Sequence, residues 1–211
     1  MNSIFEKVYV ITCNSFADRQ NYIKQHFASF QCNFEFRSAV QTQLIAAENL
    51  STSETSLILA HLHCIIDAKL NGYQQILICE DDVALCDDFF EKLNSFLADV
   101  PTDWHFLQLG NQYWATHWLK RDYVKPNVYR FIWGTGSHCV AIRNVVYDDS
   151  IRVLSQFTSP VDLLYYDLFS KFNCYCPDTF LADALSKNDH LQHQDSKYLF
   201  DSTITHKNVT V

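Results

Sequence analysis

The sequence predicts a three-layer α/β fold built on a mainly parallel, mixed sheet. Two observations carry that class. Short apolar runs of strand length alternate with segments whose apolar residues recur at helical spacing, in the order β-α-β-α-β-α-β, before strands and helices mix. The chain has 211 residues, 48% hydrophobic and 15% aromatic, enough for one domain with a sizeable core. No repeat, linker or composition break divides it, so a single domain over 1–211 is expected, with the polar stretch 185–211 as a loosely packed tail.

The elements follow in order. Val8 to Cys13 reads as a buried strand, and Ala17 to Phe30 as a helix with Tyr22, Ile23, Phe27 and Phe30 at helical spacing. Cys32 to Val40 alternates Phe34, Phe36 and Ala39 with polar residues, a strand pattern. Ser51 and Glu54 fit a capping box, which starts a helix running to about Leu70 with Gly72 as its stop. Gln75 to Cys79 is a strand, Asp87-Asp88 opens a helix through Leu97, and His105 to Leu109 is a short strand. The aromatic, polar segment from Gly110 to Pro126, with Trp114 and Trp118, reads as a long surface loop. Val128 to Trp133 and His138 to Ile142 read as strands, Asn144 to Phe157 and Val161 to Phe172 as helices, and Cys174 to Cys176 as a short extended piece.

Composition narrows the function. Net charge is −8, and Lys and Arg form no cluster, which argues against nucleic-acid binding and polybasic membrane docking. No apolar run approaches the roughly 20 residues of a membrane span, so any membrane contact is expected to be peripheral. The opening residues lack the basic and long apolar regions of a secretory signal, and a cytoplasmic location is expected. Many of the eight cysteines lie in apolar runs, which suits small core residues in a reducing compartment better than disulfides. Cys174 and Cys176 have no second pair at zinc-site spacing. No GxGxxG or GxxxxGK[ST] is present, which removes the usual dinucleotide and P-loop readings.

Four constellations could carry chemistry. The strand Ile76-Leu77-Ile78-Cys79 ends in Glu80, Asp81 and Asp82. Three adjacent carboxylates repel one another, and a divalent cation is the usual remedy. The plain alternative is a polar turn that caps the next helix. His61 sits in an apolar helical stretch, where a core histidine bonded to a neighbour competes with a ligand. Gly134 and Gly136 allow close backbone approach to a ligand, or simply make a tight turn. Asp162, with Asp167 further on, sits where a helix begins, as a first-turn carboxylate or as a general base.

In this order the pieces resemble glycosyltransferase family 25, which includes lipooligosaccharide and collagen galactosyltransferases. The likeness runs from about Val8 to Pro177: the opening strand with Asp18-Arg19, the Phe34 to Val40 strand, the helix in which His61 takes the signature His position, Glu80-Asp81-Asp82, the Trp133 to Arg143 segment and Pro160-Val161-Asp162. Gln41-Thr42, Ala60 and His138-Cys139 depart from the family's usual residues. The resemblance implies a GT-A, Rossmann-like transferase that moves a hexose from a UDP-sugar to a saccharide or glycolipid acceptor, with inversion. It implies Mn²⁺ or Mg²⁺ on Glu80 and Asp82, with Asp81 supporting them or touching the ribose. Thr12, Arg19, Ala39, His61, Gly134 and Gly136 would contact the nucleotide sugar, and Asp162, or behind it Asp167, would be the base. A metal-dependent phosphoesterase and a catalytically inactive binding module of the same fold are the rivals.

Overall fold

The computed structural model describes residues 4–39, 49–111, 119–134 and 136–185. Strands β1 (Lys7–Thr12), β2 (Glu35–Ser38) and β3 (Gln75–Glu80) pair in parallel with β1 in the middle. Helices α1 (Ala17–Ser29) and α2 (Thr52–Asn71) connect them. After β3 come β4 (Val83–Leu85), α3 (Phe89–Asp99), β5 (Phe106–Gln108), β6 (Lys120–Lys125), β7 (Val128–Trp133) and β8 (Cys139–Arg143). A 3-10 turn at Asn144–Val146 leads into α4 (Tyr147–Leu154), then α5 (Val161–Phe169), β9 (Cys174–Cys176) and β10 (Ala182–Ala184). The main sheet has eight strands in the order β2-β1-β3-β8-β5-β9-β7-β6, and β4 pairs with β10 in a separate ribbon. Strands β8 and β7 run against the other six, so the sheet is mixed and mostly parallel in direction.

Burial on both faces explains why β1 and β3 are almost continuously apolar. Ile76 and Ile78 of β3, with Tyr9 and Ile11 of β1, pack beneath α2, α4 and α5. Leu77 and Cys79, with Val8 and Val10, pack on the opposite side against Ile23 and Phe27 of α1 and Phe89, Leu93 and Phe96 of α3. These are the two helical layers around one sheet. Helix α2 has the expected ends. The Ser51 hydroxyl accepts from the Glu54 amide, the Glu54 carboxylate accepts from the Ser51 amide, and Gly72 is left-handed at φ 72°. None of the eight cysteines is in a disulfide.

Several elements depart from the sequence reading. Val83–Leu85 follows the acidic turn directly, so Asp81 and Asp82 lie between two strands and not at a helix start. Asp88 precedes α3 in the left-handed region at φ 58°, and its side chain caps no helix amide. Lys120–Lys125 is a strand, not part of a surface loop. It is an edge strand with an exposed, charged sequence that shows no apolar alternation, the composition by which sheet edges avoid unwanted pairing. Trp114 and Trp118 lie outside the described residues, as do His190, His193 and His206. The helix read over Asn144 to Phe157 is a 3-10 turn followed by the shorter α4.

His26 ties α1 to β4: its Nε2 accepts from the Leu85 amide at 2.8 Å, and its ring stacks on Tyr22. Burial holds its pKa down at about 4 against an unfolded value near 6.5. The folded state therefore favours the neutral ring. That contribution to stability is complete above about pH 6.5 and is lost as the pH falls toward 4. We expect thermal melts of the wild type to drop more steeply than those of His26→Gln between pH 7 and 4.5. The two melting curves should converge by roughly 3–6 °C. Parallel pH profiles would show that His26 does not titrate in this window.

Candidate functional site

The acidic turn lies at the carboxyl end of β3, and the β1–β3 register sets Ile11 opposite Glu80. In open α/β sheets this end of the strands is where ligands sit. Thr12 is the last residue of β1, and Arg19 lies in the early part of α1 just beyond it. Both reach Asp81. The Thr12 hydroxyl donates to Oδ2 at 2.7 Å and Arg19 Nη1 donates to Oδ1 at 2.8 Å. Asp81 is buried, and two charge-assisted hydrogen bonds offset its desolvation. It thereby orients Arg19, which also stands 3.7 Å from Asp82.

Glu80 and Asp82 are held differently. Glu80 Oε1 accepts from the Ser137 hydroxyl at 2.7 Å, and its backbone amide donates to His138 O at the start of β8. Burial, then the charge of Asp82, push its pKa up to about 8, against the pull of Ser137. Burial pushes Asp82 up to about 6 although Arg19 pulls the other way. Asp82 Oδ1 is buried with no hydrogen-bond partner. Native folds seldom leave a buried carboxylate oxygen unsatisfied without a reason of function.

Beside these residues lies a cavity of about 1170 Å³. It is lined by Thr12, Cys13, Phe16, Arg19 and Ala39, by Glu80 and Asp81, and by Ser51, Thr52, Ser53, Ser56 and Leu57 from the start of α2. The sequence reading assigned Ser51 only to capping. The helix start it caps also presents hydroxyls to the cavity. Thr12, Arg19, Ala39, Glu80 and Asp81 are thus brought together at one cavity.

The other expected contacts are placed elsewhere. His61 is fully buried and does not line the cavity. Its Nδ1 is 3.0 Å from the Tyr165 hydroxyl, and its Nε2 is 4.0 Å from Glu80 Oε1. Burial drives its pKa down to about 3, so it is a neutral ring backing Glu80 and not a cavity group. Gly134 is buried, and a Cβ there would meet Asn111 Oδ1 and Phe131 Cζ, each at 2.7 Å. Its missing side chain accommodates protein atoms. Gly136 takes the left-handed φ of 99° that its turn requires. Gln108, buried in β5, donates to the carbonyls of Gly136 at 2.6 Å and Gly110 at 2.7 Å and so fixes that turn. A lone polar residue inside the apolar run Phe106 to Leu109 was the available signal for it.

Asp162 stands in the first turn of α5, where its Oδ1 accepts from the Leu163 amide at 3.1 Å. The Gly136 amide also bonds it. Burial raises its pKa, partly countered by those amides, and its charge in turn raises Glu80. Asp162 is therefore within electrostatic reach of the acidic turn. Asp167 is exposed on another face of α5, and the structure does not bring it to Asp162.

Hard carboxylate oxygens suit Mg²⁺ or Mn²⁺. Among the described residues no three His, Cys, Asp or Glu side chains converge to hold an ion. With Asp81 engaged by Thr12 and Arg19, the carboxylates left for an ion are Glu80, whose Oε1 accepts from Ser137, and Asp82, whose Oδ1 has no partner. That pair fits an ion whose remaining ligands come with a diphosphate, and it fits a resident, fully protein-bound metal poorly.

A mixed, mostly parallel sheet of this order between two helical layers, with an acidic turn beside a cavity at its strand ends, is an α/β fold of the GT-A-like type. The chain matches the model of glycosyltransferase family 25 (LPS biosynthesis protein) over residues 5–135 and belongs to that family. No curated protein matches it at a significant level. Its fold is similar to that of a glycosyltransferase involved in the glycosylation of the major capsid of PBCV-1, with a TM-score of 0.52 at 10% identity over 88% of this chain and 96% of that one. A mannose-1-phosphate geranyltransferase from Thermus thermophilus superposes with a TM-score of 0.48 at 9% identity, over 84% of this chain and 75% of its own. At such identities the likeness concerns the fold alone. Among the described residues, no helix is long and apolar enough to cross a membrane.

Proposed function

We propose that this glycosyltransferase moves a hexose, galactose being the first candidate, from a UDP-sugar to a saccharide acceptor such as lipooligosaccharide, with inversion at the sugar carbon. The observation that carries the reading is the pairing of an occupied and an unoccupied carboxylate. Asp81 is engaged by Thr12 and Arg19, while Asp82 keeps a buried oxygen with no partner, next in sequence to Glu80 and Asp81, which line a nucleotide-sized cavity. Mn²⁺ or Mg²⁺ on Glu80 and Asp82 would neutralise the diphosphate. Arg19 adds a fixed positive charge nearby, and the hydroxyl wall from Ser51 to Ser56 suits the polar edge of a nucleoside. Transfer forms a bond from the acceptor oxygen to the anomeric carbon as the bond from that carbon to the diphosphate breaks. The hydroxyl proton passes to Asp162, held in place by the Gly136 and Leu163 amides. Family membership argues against the phosphoesterase, and turnover separates an enzyme from a binding module.

The test is calorimetric titration with UDP in Mn²⁺ and again in EDTA. Without a cation the Glu80 and Asp82 carboxylates face the diphosphate's negative charge, so affinity should fall by roughly tenfold or more, about 1.4 kcal/mol. An affinity indifferent to EDTA removes the metal from the mechanism. A thermal-shift screen of nucleotide sugars with Mn²⁺ then names the donor, because a true ligand stabilises the fold by mass action. A screen in which no UDP-sugar raises the melting temperature sinks the UDP assignment.

A further inference from the structure

We infer that the outer face of Trp133, backed by the stacked ring of Tyr166, is a platform on which a pyranose ring of the acceptor stacks, with Asp162 at its edge. The inference rests on the transferase reading and extends it to the acceptor side. Trp133 ends β7 with 37% of its surface exposed, and its ring stacks on Tyr166 at 4.1 Å between centroids and 28° between planes. Leu163 is 39% exposed on the same helix as Tyr166. Large aromatic and aliphatic groups gathered at the surface mark ligand or partner sites more often than chance placement.

The pair is firmly mounted. Phe131, two residues before Trp133, packs against Phe169, and Phe169 also meets Tyr166. Gly134, next to Trp133, is packed too tightly to admit a Cβ, which fixes the backbone at the base of the indole. Its amide bonds the Tyr166 hydroxyl. Tyr166 lies four residues after Asp162, so the two share one face of α5 about one helical turn apart. A flat apolar surface with a carboxylate and a phenol at its edge is complementary to a sugar ring, which has an apolar C–H face and a polar rim. A ring stacked there would hold its hydroxyls beside Asp162.

Saturation-transfer NMR tests this on the intact chain with UDP and Mn²⁺ present, using methyl β-D-galactopyranoside and methyl β-D-glucopyranoside as probes. We expect saturation on the ring C–H protons of at least one glycoside in the wild type. It should fall roughly fivefold to tenfold (about 1–1.4 kcal/mol) in Trp133→Leu, which keeps apolar bulk without a ring, and survive in Trp133→Phe. UDP affinity should be the same in all three proteins. No saturation of either glycoside in the wild type overturns the platform, as does an equal signal in Trp133→Leu. So does a wild-type dimer that Trp133→Leu turns into a monomer, since the patch would then be a self-association face. Failure of UDP to bind the wild type is a separate result, and it strikes the transferase reading itself.

Discussion

Replacing Asp82 by Ala is expected to abolish sugar transfer while leaving the protein folded. The side chain makes no hydrogen bond through Oδ1, its nearest cation, Arg19, is 3.7 Å away, and it sits beside the like charges of Asp81 and Glu80. Its removal therefore costs little stability. The backbone of Asp82, whose carbonyl accepts from the Leu185 amide, is unaffected. The loss falls on the diphosphate. Removing one preorganised electrostatic contact from a transition state typically costs about 10²–10³ in rate, and under the proposed mechanism an anchor of the cation would go with it. Asp87→Asn is the control, since Asp87 is exposed and beyond the acidic turn. Wild-type turnover and an unchanged melting temperature are expected for it. An active Asp82→Ala beside an inactive Asp87→Asn would put the site in the wrong register.

The parts of this site legible in the sequence are those where a local pattern and a global constraint coincide. Glu80 to Asp82 could be read because an apolar strand buried on both faces leaves no inward place for three carboxylates, so they had to fall at its end. The start of α2 was equally legible, since a capping box is a purely local device. What it faces was not, because the cavity lined by Ser51, Thr52, Ser53 and Ser56 exists only once the fold has brought Thr12 and Arg19 to it. His61 shows the converse. Its place in a signature suggested a contact with the nucleotide, yet its ring is enclosed between Tyr165 and Glu80. Strands β4 and β10 have three residues each, too few for a period to register, and the exposed edge strand β6 has no apolar alternation to find. The Trp133–Tyr166 stack joins residues 33 positions apart and depends on how β7 crosses α5.

Asp162→Asn should leave the affinity for UDP and its cation nearly unchanged and lower transfer to acceptor by roughly two to four orders of magnitude, the usual size of a lost base. The substitution keeps the shape and keeps an oxygen to accept from the Leu163 amide, so α5 should start as before. The pH profile gives a second readout. Burial raises the Asp162 pKa, with the charge of Glu54 adding to it, and the Leu163 and Gly136 amides hold it down. A base must be deprotonated to work. Transfer by the wild type should therefore decline as the pH falls through a value above the ordinary aspartate range near 3.9. Glu80 and the Tyr166 phenol also face this charge, so the limb belongs to the group and its midpoint is apparent. In the Asn variant the residual rate should lack the Asp162 contribution to that limb. Asp167→Asn should do less, because Asp167 is exposed on another face of the helix. If Asp162 is only a first-turn carboxylate, the Asn variant transfers sugar normally and keeps the wild-type pH profile. That outcome would move the base to Glu80, whose own carboxylate is held high enough to exchange a proton near neutral pH, to Asp167, or to a carboxylate in the segment after Pro177.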